Sequence, residues 1–225
     1  MLSIVIMSCD SYSDLWQPFF ILYNKYFPNK NQTHLISENK ECEYCNTIKQ
    51  QGKWTKRLRE GLKQIDSEYI LLLLEDFFIQ NKVDTERIQY CLDNFNDNIA
   101  TFNFEKTYSI EDKETDLKDF KQRNKNGTYK LSCQAGIWDR NKLIELLRDD
   151  LDPWEWEDSK PNKEYEFYIN SGDFVIDYGY ENHEWFGIRK GKWTLKAIEL
   201  MKKEKIDIDF TKRGIYEIVN NNTLS

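Results

Sequence analysis

The sequence predicts an α/β fold in which helices cover both faces of a mostly parallel central sheet. The first observation is a short, branched, apolar run at residues 2–8, which ends at polar residues and precedes a segment with helical spacing. The second is the uninterrupted apolar run at residues 69–74, which is typical of a central strand buried on both faces. The third is that strand-like and helix-like segments alternate along the chain, as they do in three-layer α/β folds.

The helices are predicted from apolar side chains that recur at helical spacing. Ser13 or Asp14 is the expected cap of the first helix, which Pro28 closes, and Asp84 is the expected cap of a later one. The predicted helices are residues 15–26, 54–65, 84–95, 140–148 and 193–203.

The strands are predicted where branched and aromatic residues form short runs. They are residues 2–8, 33–37, 69–74, 99–104, 129–134 and 174–178. Residues 108–126 are rich in charge and nearly free of aliphatic side chains, so a mobile excursion is expected there.

Length and composition limit the class of protein. A chain of 225 residues, with 40% hydrophobic and 32% charged residues, predicts one globular domain. A net charge of −7 and a pI near 5.1 exclude the basic surface that general nucleic-acid binding requires. No apolar stretch approaches the ~20 residues of a membrane-spanning helix, so any membrane contact is expected to be peripheral.

Cysteine usage indicates a reducing compartment. The five cysteines are odd in number and irregularly spaced, and nothing like a signal peptide precedes the first apolar run. We therefore expect a cytoplasmic protein without disulfides. Cys42 and Cys45 form a lone C-x-x-C, which we interpret as incidental thiols rather than as half of a zinc site or a redox pair.

Carboxylates follow two of the predicted strands, at the sheet edge where open α/β folds bind ligands. Ser8 and Asp10 follow the first strand, where Asp10 either meets a ligand or caps the next helix. Glu75 and Asp76 end the apolar run, and two carboxylates at that position are costly unless they face a cleft. A divalent ion held there would bridge the phosphates of a nucleotide diphosphate, whereas the alternative is an ordinary acidic strand end at the surface.

Carboxylates and indoles alternate at residues 152–157. Trp154 and Trp156 would share one face of an extended segment and stack on a sugar ring, while Glu155 or Glu157 would take the proton from an attacking hydroxyl. The alternative is that the indoles fill a core beside solvated glutamates.

A basic turn stands out in an otherwise acidic chain. Arg189, Lys190 and Lys192 lie in a glycine-flanked loop that would close over a diphosphate, unless it is a solvated turn before a helix. His183 is either a metal or phosphate ligand or a surface histidine, and His34 has no assigned role.

The order of these motifs resembles that of small bacterial GT-A glycosyltransferases from capsule, lipooligosaccharide and cell-wall glycan loci. The resemblance spans roughly residues 2–213 and has six parts. They are residues 8–10, the Trp54 helix with Arg57, residues 68–78, residues 134–138, residues 153–157 and residues 187–192.

The resemblance implies that a sugar passes from a nucleotide-sugar donor, expected to be a UDP-sugar, to a glycan or lipid-linked acceptor at the inner face of the membrane. Residues 1–105 would bind the donor and residues 128–213 the acceptor. The implied donor-binding residues are Ser8, Asp10, Arg57, Glu75, Asp76, Arg189, Lys190 and Lys192. The implied acceptor-binding residues are Gln134, Trp138, Trp154 and Trp156.

The resemblance also implies a metal and a base. Mn²⁺ or Mg²⁺ would be held by Asp76, with His183 as a further candidate ligand. The family motif is Asp-x-Asp, whereas this chain has Glu75-Asp76 after Leu74, which leaves metal dependence open. If the enzyme inverts the anomeric centre, Glu157 is the expected base and Glu155 its nearest competitor.

Two other classes of function stay open. A nucleotidyltransferase acting on a sugar phosphate would share the fold, but it normally has a glycine-rich loop after the first strand, and residues 8–14 contain no glycine. A non-catalytic sugar-binding subunit would keep the indoles and need no base. A serine or cysteine hydrolase is disfavoured because no G-x-S-x-G motif is present.

Overall fold

The structure, a computed structural model, describes residues 1–28, 31–124, 130–148, 150–161, 163–179 and 187–217. Within these residues a nine-stranded sheet has the order β3-β2-β1-β4-β8-β5-β9-β7-β6. Its strands are β1 (Leu2–Met7), β2 (Thr33–Ser37), β3 (Asn46–Lys49), β4 (Tyr69–Leu74), β5 (Ile99–Asn103), β6 (Lys113–Glu114), β7 (Phe120–Gln122), β8 (Gly136–Asp139) and β9 (Glu166–Asn170).

Most of the described strands run in one direction. β1 is parallel to β2 and β4, β2 to β3, and β5 to β9. β8 lies antiparallel between β4 and β5, and β7 is antiparallel to β9 and β6. The carboxyl ends of β1, β4 and β5 therefore meet at one edge. A separate hairpin is formed by β10 (Ile188–Arg189) and β11 (Lys192–Trp193).

Helices pack on both faces of the sheet. They are α1 (Trp16–Tyr26), α2 (Trp54–Leu62), α3 (Thr85–Asp93), α4 (Arg140–Leu146), α5 (Pro153–Asp158) and α6 (Leu195–Lys203). Side chains of β1 alternate between two cores. Ile4 and Ile6 join the core under α1, α3 and α6, whereas Val5 and Met7 join the core under α2, α4 and α5. The predicted Rossmann-like three-layer α/β fold is therefore confirmed. None of the described helices has the length and apolar character needed to cross a membrane.

Several predicted elements are confirmed, and others differ. The strand at residues 33–37 is present with the predicted bounds, and the Asp84 side chain accepts a hydrogen bond from the Arg87 backbone N–H as the cap of α3. Ser13 and Asp14 do not cap α1, because a 3₁₀ turn at Asp10–Leu15 leads directly into that helix. The last helix begins two residues late, since Trp193 belongs to β11 and Thr194 is the cap.

The largest difference lies at the sheet edge formed by β9, β7 and β6. Residues 108–126 were predicted as an excursion, but they contain β6 and β7, whose backbone groups extend the sheet beyond β9. Phe120 is buried against Phe102, which fixes β7 in place. Of the predicted strand at residues 129–134, the described residues 130–134 form no strand, and neither do residues 174–178. The strands found are β8, which begins after the first segment, and β9, which ends before the second.

Candidate functional site

An open cleft of about 770 Å³ lies at the carboxyl ends of β1 and β4. Its walls come from these strand ends, the start of α2, the α5 segment, the β10–β11 hairpin and Tyr216. This is the edge at which open α/β sheets bind ligands, and both predicted acidic and basic groups reach it.

Glu75 is buried at the floor of this cleft and is held by a short hydrogen-bonded chain. The Trp16 indole Nε1 donates to Ser8 Oγ at 2.7 Å, and Ser8 Oγ donates to Glu75 Oε1 at 2.7 Å. Burial, together with the neighbouring charge of Asp76, raises the pKa of Glu75. The Ser8 hydroxyl, predicted to contact the donor, is thus committed to orienting Glu75.

Asp76 is half-buried and presents a carboxylate to the cleft. Its Oδ1 atom is buried and has no hydrogen-bond partner among the described residues, and burial raises its pKa. An unpaired buried carboxylate oxygen is costly unless a cation or a donor group meets it. Asp76 is therefore a candidate ligand-binding residue of this cleft.

Of the two carboxylates at this strand end, Asp76 has the unpaired oxygen, which is a ligand type that Mg²⁺ and Mn²⁺ accept. The described residues contain no cluster of three or more His, Cys, Asp or Glu side chains that would enclose a metal by themselves. Mg²⁺ is commonly bound through one or two carboxylates plus phosphate oxygens, and Asp76 supplies such an oxygen. His183, the other predicted metal ligand, lies outside the described residues.

Arg57 and Asp10 have different positions relative to the cleft. Arg57 lines it, and its Nη1 atom lies 2.7 Å from the Ser8 carbonyl oxygen and 2.9 Å from Glu38. The Asp10 carboxylate instead accepts hydrogen bonds from the backbone N–H groups of Asn39 and Lys40, each at 3.0 Å. Against the opposing effect of burial, these bonds lower the pKa of Asp10 to about 2. Asp10 secures a loop and does not line the cleft, contrary to the prediction.

The β10–β11 hairpin brings cationic side chains to the cleft. Lys190 and Gly191 have φ angles of 50° and 76°, as a two-residue hairpin turn of the primed type requires. Arg189 and Lys190 line the cleft, and the Arg189 guanidinium lies 4.9 Å from the centre of the Tyr216 ring. Lys192 is exposed and lies outside the cleft lining, so its position does not support the predicted donor contact.

The segment predicted to be extended at residues 154–157 is the helix α5. Asp152 caps it, Pro153 occupies its first turn, and Glu155 completes a capping box by accepting from the Asp152 backbone N–H at 2.9 Å. Glu155 also lies 3.4 Å from Lys53 and does not line the cleft. Its competing claim to be the base is therefore not supported by its position.

The indoles of this region have separate roles. Successive residues of a helix point about 100° apart, so Trp154 and Trp156 face nearly opposite directions. Trp154 is 73% exposed at the cleft. Trp156 and Trp138 are fully buried with ring centres 5.9 Å apart, so the prediction that they bind the acceptor is wrong. Trp156 instead anchors α5, and its Nε1 donates to the Leu146 carbonyl.

Glu157 follows this buried anchor and faces the cleft. It is half-buried, and its Oε1 atom accepts a hydrogen bond from the Cys133 backbone N–H at 2.6 Å. Burial raises the pKa of Glu157, with the Cys133 hydrogen bond opposing. Gln134, the next residue after Cys133, lines the same cleft as predicted. A fixed carboxylate with a raised pKa is suited to accepting a proton near neutral pH.

Sequence reasoning missed several residues that meet at this edge. Lys53 and Tyr216 line the cleft but had no sequence signal, and Trp54, which was assigned no ligand contact, lines it as well. Glu105 follows the end of β5, and the rule that selected Glu75 at the end of β4 could have selected it as well.

Comparison with known proteins provides general resemblances only. No protein-family model matches the chain, and no curated protein matches it. Among solved structures, TarS from S. aureus is 13% identical with a TM-score of 0.44, over 76% of this chain and 36% of that one. A TarS structure of residues 1–349 is 14% identical with a TM-score of 0.44, over 76% and 60%. The bifunctional IspDF from Campylobacter jejuni is 14% identical with a TM-score of 0.40, over 69% and 46%. The chain thus spans less than two thirds of each of these proteins.

Proposed function

We propose that this protein is a glycosyltransferase that moves a sugar from a nucleotide-sugar, with a UDP-sugar as the expected donor, to a hydroxyl group of an acceptor. One observation carries the proposal: a single cleft contains both Asp76, with its unpaired buried oxygen, and Glu157, a fixed carboxylate of raised pKa. The two groups suit the two sides of sugar transfer from a nucleotide diphosphate-sugar: Asp76 would hold a cation on the leaving-group side, and Glu157 would act as the base on the attacking side.

The leaving group is a nucleotide diphosphate, whose negative charge must be neutralised as the glycosidic bond breaks. Mn²⁺ or Mg²⁺ held by Asp76 would supply that neutralisation when bound. Arg189 and Lys190 reach the same cleft from the hairpin and would form charge-assisted hydrogen bonds to phosphate oxygens. Arg57 stabilises the floor of the cleft through its contacts with Ser8 and Glu38.

The attacking group is a hydroxyl of a glycan or lipid-linked acceptor. Glu157 takes the hydroxyl proton while the hydroxyl oxygen forms its bond to the anomeric carbon and the bond to the diphosphate breaks. Attack from the side opposite the leaving group inverts the anomeric centre. The exposed Trp154 ring offers an apolar face for a sugar ring beside this site. A lipid-linked acceptor would place the protein at the membrane surface during turnover.

The first test is a thermal-shift panel of UDP, GDP, CMP and dTDP, each with and without Mn²⁺. A nucleotide that binds the native state raises the apparent stability by mass action, and Asp76→Asn should remove the Mn²⁺-dependent part of that rise. The corresponding nucleotide-sugars are then followed for release of nucleotide diphosphate.

Three results would contradict the proposal. If no nucleotide stabilises the protein, the assignment of the cleft as a donor site is wrong. Release of pyrophosphate from a nucleoside triphosphate and a sugar phosphate would instead identify a nucleotidyltransferase. Nucleotide-sugar binding with no hydrolysis or transfer would identify a binding subunit.

A further inference from the structure

A small side pocket of about 30 Å³ adjoins the cleft, and Gln134 lines both. The pocket lies at the carboxyl end of β5, on the same sheet edge as Asp76. Its volume has room for about two water-sized groups, which matches a hydroxymethyl substituent rather than a whole ring. Phe104, Ala135 and Ile176 provide apolar walls.

Glu105 gives this pocket a polar end. Its backbone N–H donates to Asn103 Oδ1 at 2.8 Å, which fixes the residue directly after the strand. Glu105 is half-buried, and burial raises its pKa; the charge of Glu157 acts in the same direction, and a hydrogen bond with Thr107 opposes. Glu105 lines the pocket and Glu157 lines the adjoining cleft, where its carboxylate is hydrogen-bonded to Cys133, the residue before Gln134.

Phe174 forms the outer wall of the pocket. Its ring is 39% exposed, and the Lys106 ammonium lies 4.6 Å from the ring centre. An exposed aromatic face beside a carboxylate is an arrangement that suits a sugar or polyol, because apolar C–H groups contact the ring while hydroxyl groups donate to the carboxylate. Lys106 also lines the pocket, but Glu105 and the neighbouring Glu157 outnumber this one cation at the junction, so negative charge prevails there and disfavours an anionic group.

We propose that this side pocket admits a hydroxymethyl group of a neutral sugar or polyol acceptor, whose hydroxyl donates a hydrogen bond to Glu105 while the apolar face of the acceptor packs outside the pocket on the exposed ring of Phe174. The inference rests on the proposed function and deepens it, because it assigns the acceptor class as neutral rather than phosphorylated or carboxylated. It also places acceptor contacts at the end of β5, inside the half of the chain that was expected to bind the donor.

The experiment measures acceptor binding directly by saturation-transfer NMR on the full chain, loaded with Mg²⁺ and the nucleotide that the thermal-shift panel selects. The probes are the methyl glycosides of glucose, galactose and mannose, and the 6-phosphates of the same sugars. At least one neutral glycoside should bind, and its 6-phosphate counterpart should bind at least about tenfold more weakly. Glu105→Gln should weaken the neutral glycoside about tenfold, because a hydrogen bond to a charged carboxylate is replaced by a weaker one to a neutral amide oxygen. Phe174→Ala should weaken it as well.

The matched control is Glu111→Gln, which changes an exposed glutamate in the segment that follows. Nucleotide affinity should stay unchanged in all three variants, which separates acceptor binding from general damage to the fold. The inference is overturned if no neutral glycoside binds, if the phosphates bind equally well, or if Glu105→Gln binds like wild type. Failure of the wild-type protein to bind any nucleotide would instead count against the proposed function itself.

Discussion

Gly187 packs against the backbone of Asp76 so closely that an added Cβ atom would lie 2.1 Å from the Asp76 carbonyl oxygen. That same oxygen accepts a hydrogen bond from the Ile188 N–H at 3.0 Å. The hairpin that carries Arg189 and Lys190 is thereby fixed to the strand end that carries the acidic pair. This backbone contact therefore holds the cationic Arg189 and the anionic Asp76, which are 113 positions apart in the sequence, in one cleft.

Gly187→Ala should displace the hairpin from Asp76, because the new methyl group has no space beside the backbone oxygen. We expect affinity for the selected nucleotide diphosphate to fall by roughly tenfold, about 1.4 kcal/mol, in a calorimetric titration. Gly191→Asn is the control in the same hairpin, since a Cβ there meets nothing within 4 Å and Asn tolerates positive φ. Equal affinities for Gly187→Ala and wild type would show that the contact does not position the cleft cations.

Asp76→Asn should abolish sugar transfer while the protein remains folded. The substitution keeps the shape of the side chain but removes the charge that would hold a divalent ion. EDTA should stop the wild-type reaction, and Mn²⁺ or Mg²⁺ should restore it, as measured by release of nucleotide diphosphate. Full activity in EDTA would assign the leaving-group role to Arg189 and Lys190 instead.

Glu75→Gln should make the stability of the ligand-free protein less dependent on pH. Burial raises the pKa of Glu75, so between the ordinary carboxyl pKa and the raised value the native state retains a proton that the unfolded chain has lost. Stability therefore falls as pH rises through that window, and glutamine removes this contribution. Urea unfolding at several pH values in EDTA measures the slope. An unchanged slope in the variant would show that Glu75 does not titrate in this way.

Glu157→Gln should reduce turnover by about 10² to 10⁴, the range of general-base assistance, with little change in nucleotide affinity. Glu155→Gln is the matched control, because Glu155 is occupied by the capping box and by Lys53. Since burial raises the pKa of Glu157, the wild-type rate should fall on acidification at a higher pH than for an exposed glutamate. A dead Glu155→Gln enzyme beside an active Glu157→Gln enzyme would reverse the assignment.

Arg189→Ala should weaken binding of the nucleotide diphosphate more than Lys192→Ala does. Arg189 lines the cleft, whereas Lys192 is exposed and lies outside the lining. The loss should be larger at low ionic strength, because salt screens charge-assisted contacts with phosphate. Titrations at two salt concentrations measure it. Equal losses of nucleotide affinity in the two variants would show that Arg189 has no special role in binding the diphosphate.

Local sequence was sufficient to predict an element where its pattern is compatible with only one type of secondary structure. The apolar run of β4 predicted a doubly buried strand, and β2 has the predicted bounds. The acidic pair was selected because two carboxylates at the end of a buried strand are costly unless they face a cleft. The basic turn was selected because its cations are concentrated in a glycine-flanked loop that would close over a diphosphate. Glu157 was instead a candidate from the alternation of carboxylates and indoles at residues 152–157, and Gln134 was implied only by the family resemblance. Strand β7 was not predicted, because its pairing with β9 depends on a neighbour more than forty residues away in the chain.

The sequence by itself determined the alternation of strands and helices, the layered fold and the strand ends at which charged groups gather. Only the tertiary structure decided which of these groups share the cleft. It placed Asp76, Arg189 and Glu157 along one cavity, and it sent Trp156 into the core by making residues 153–158 a helix rather than a strand. The reason is that hydrophobic periodicity is a local property, whereas the meeting of a hairpin with a strand end depends on contacts between distant residues, such as Gly187 against the Asp76 backbone.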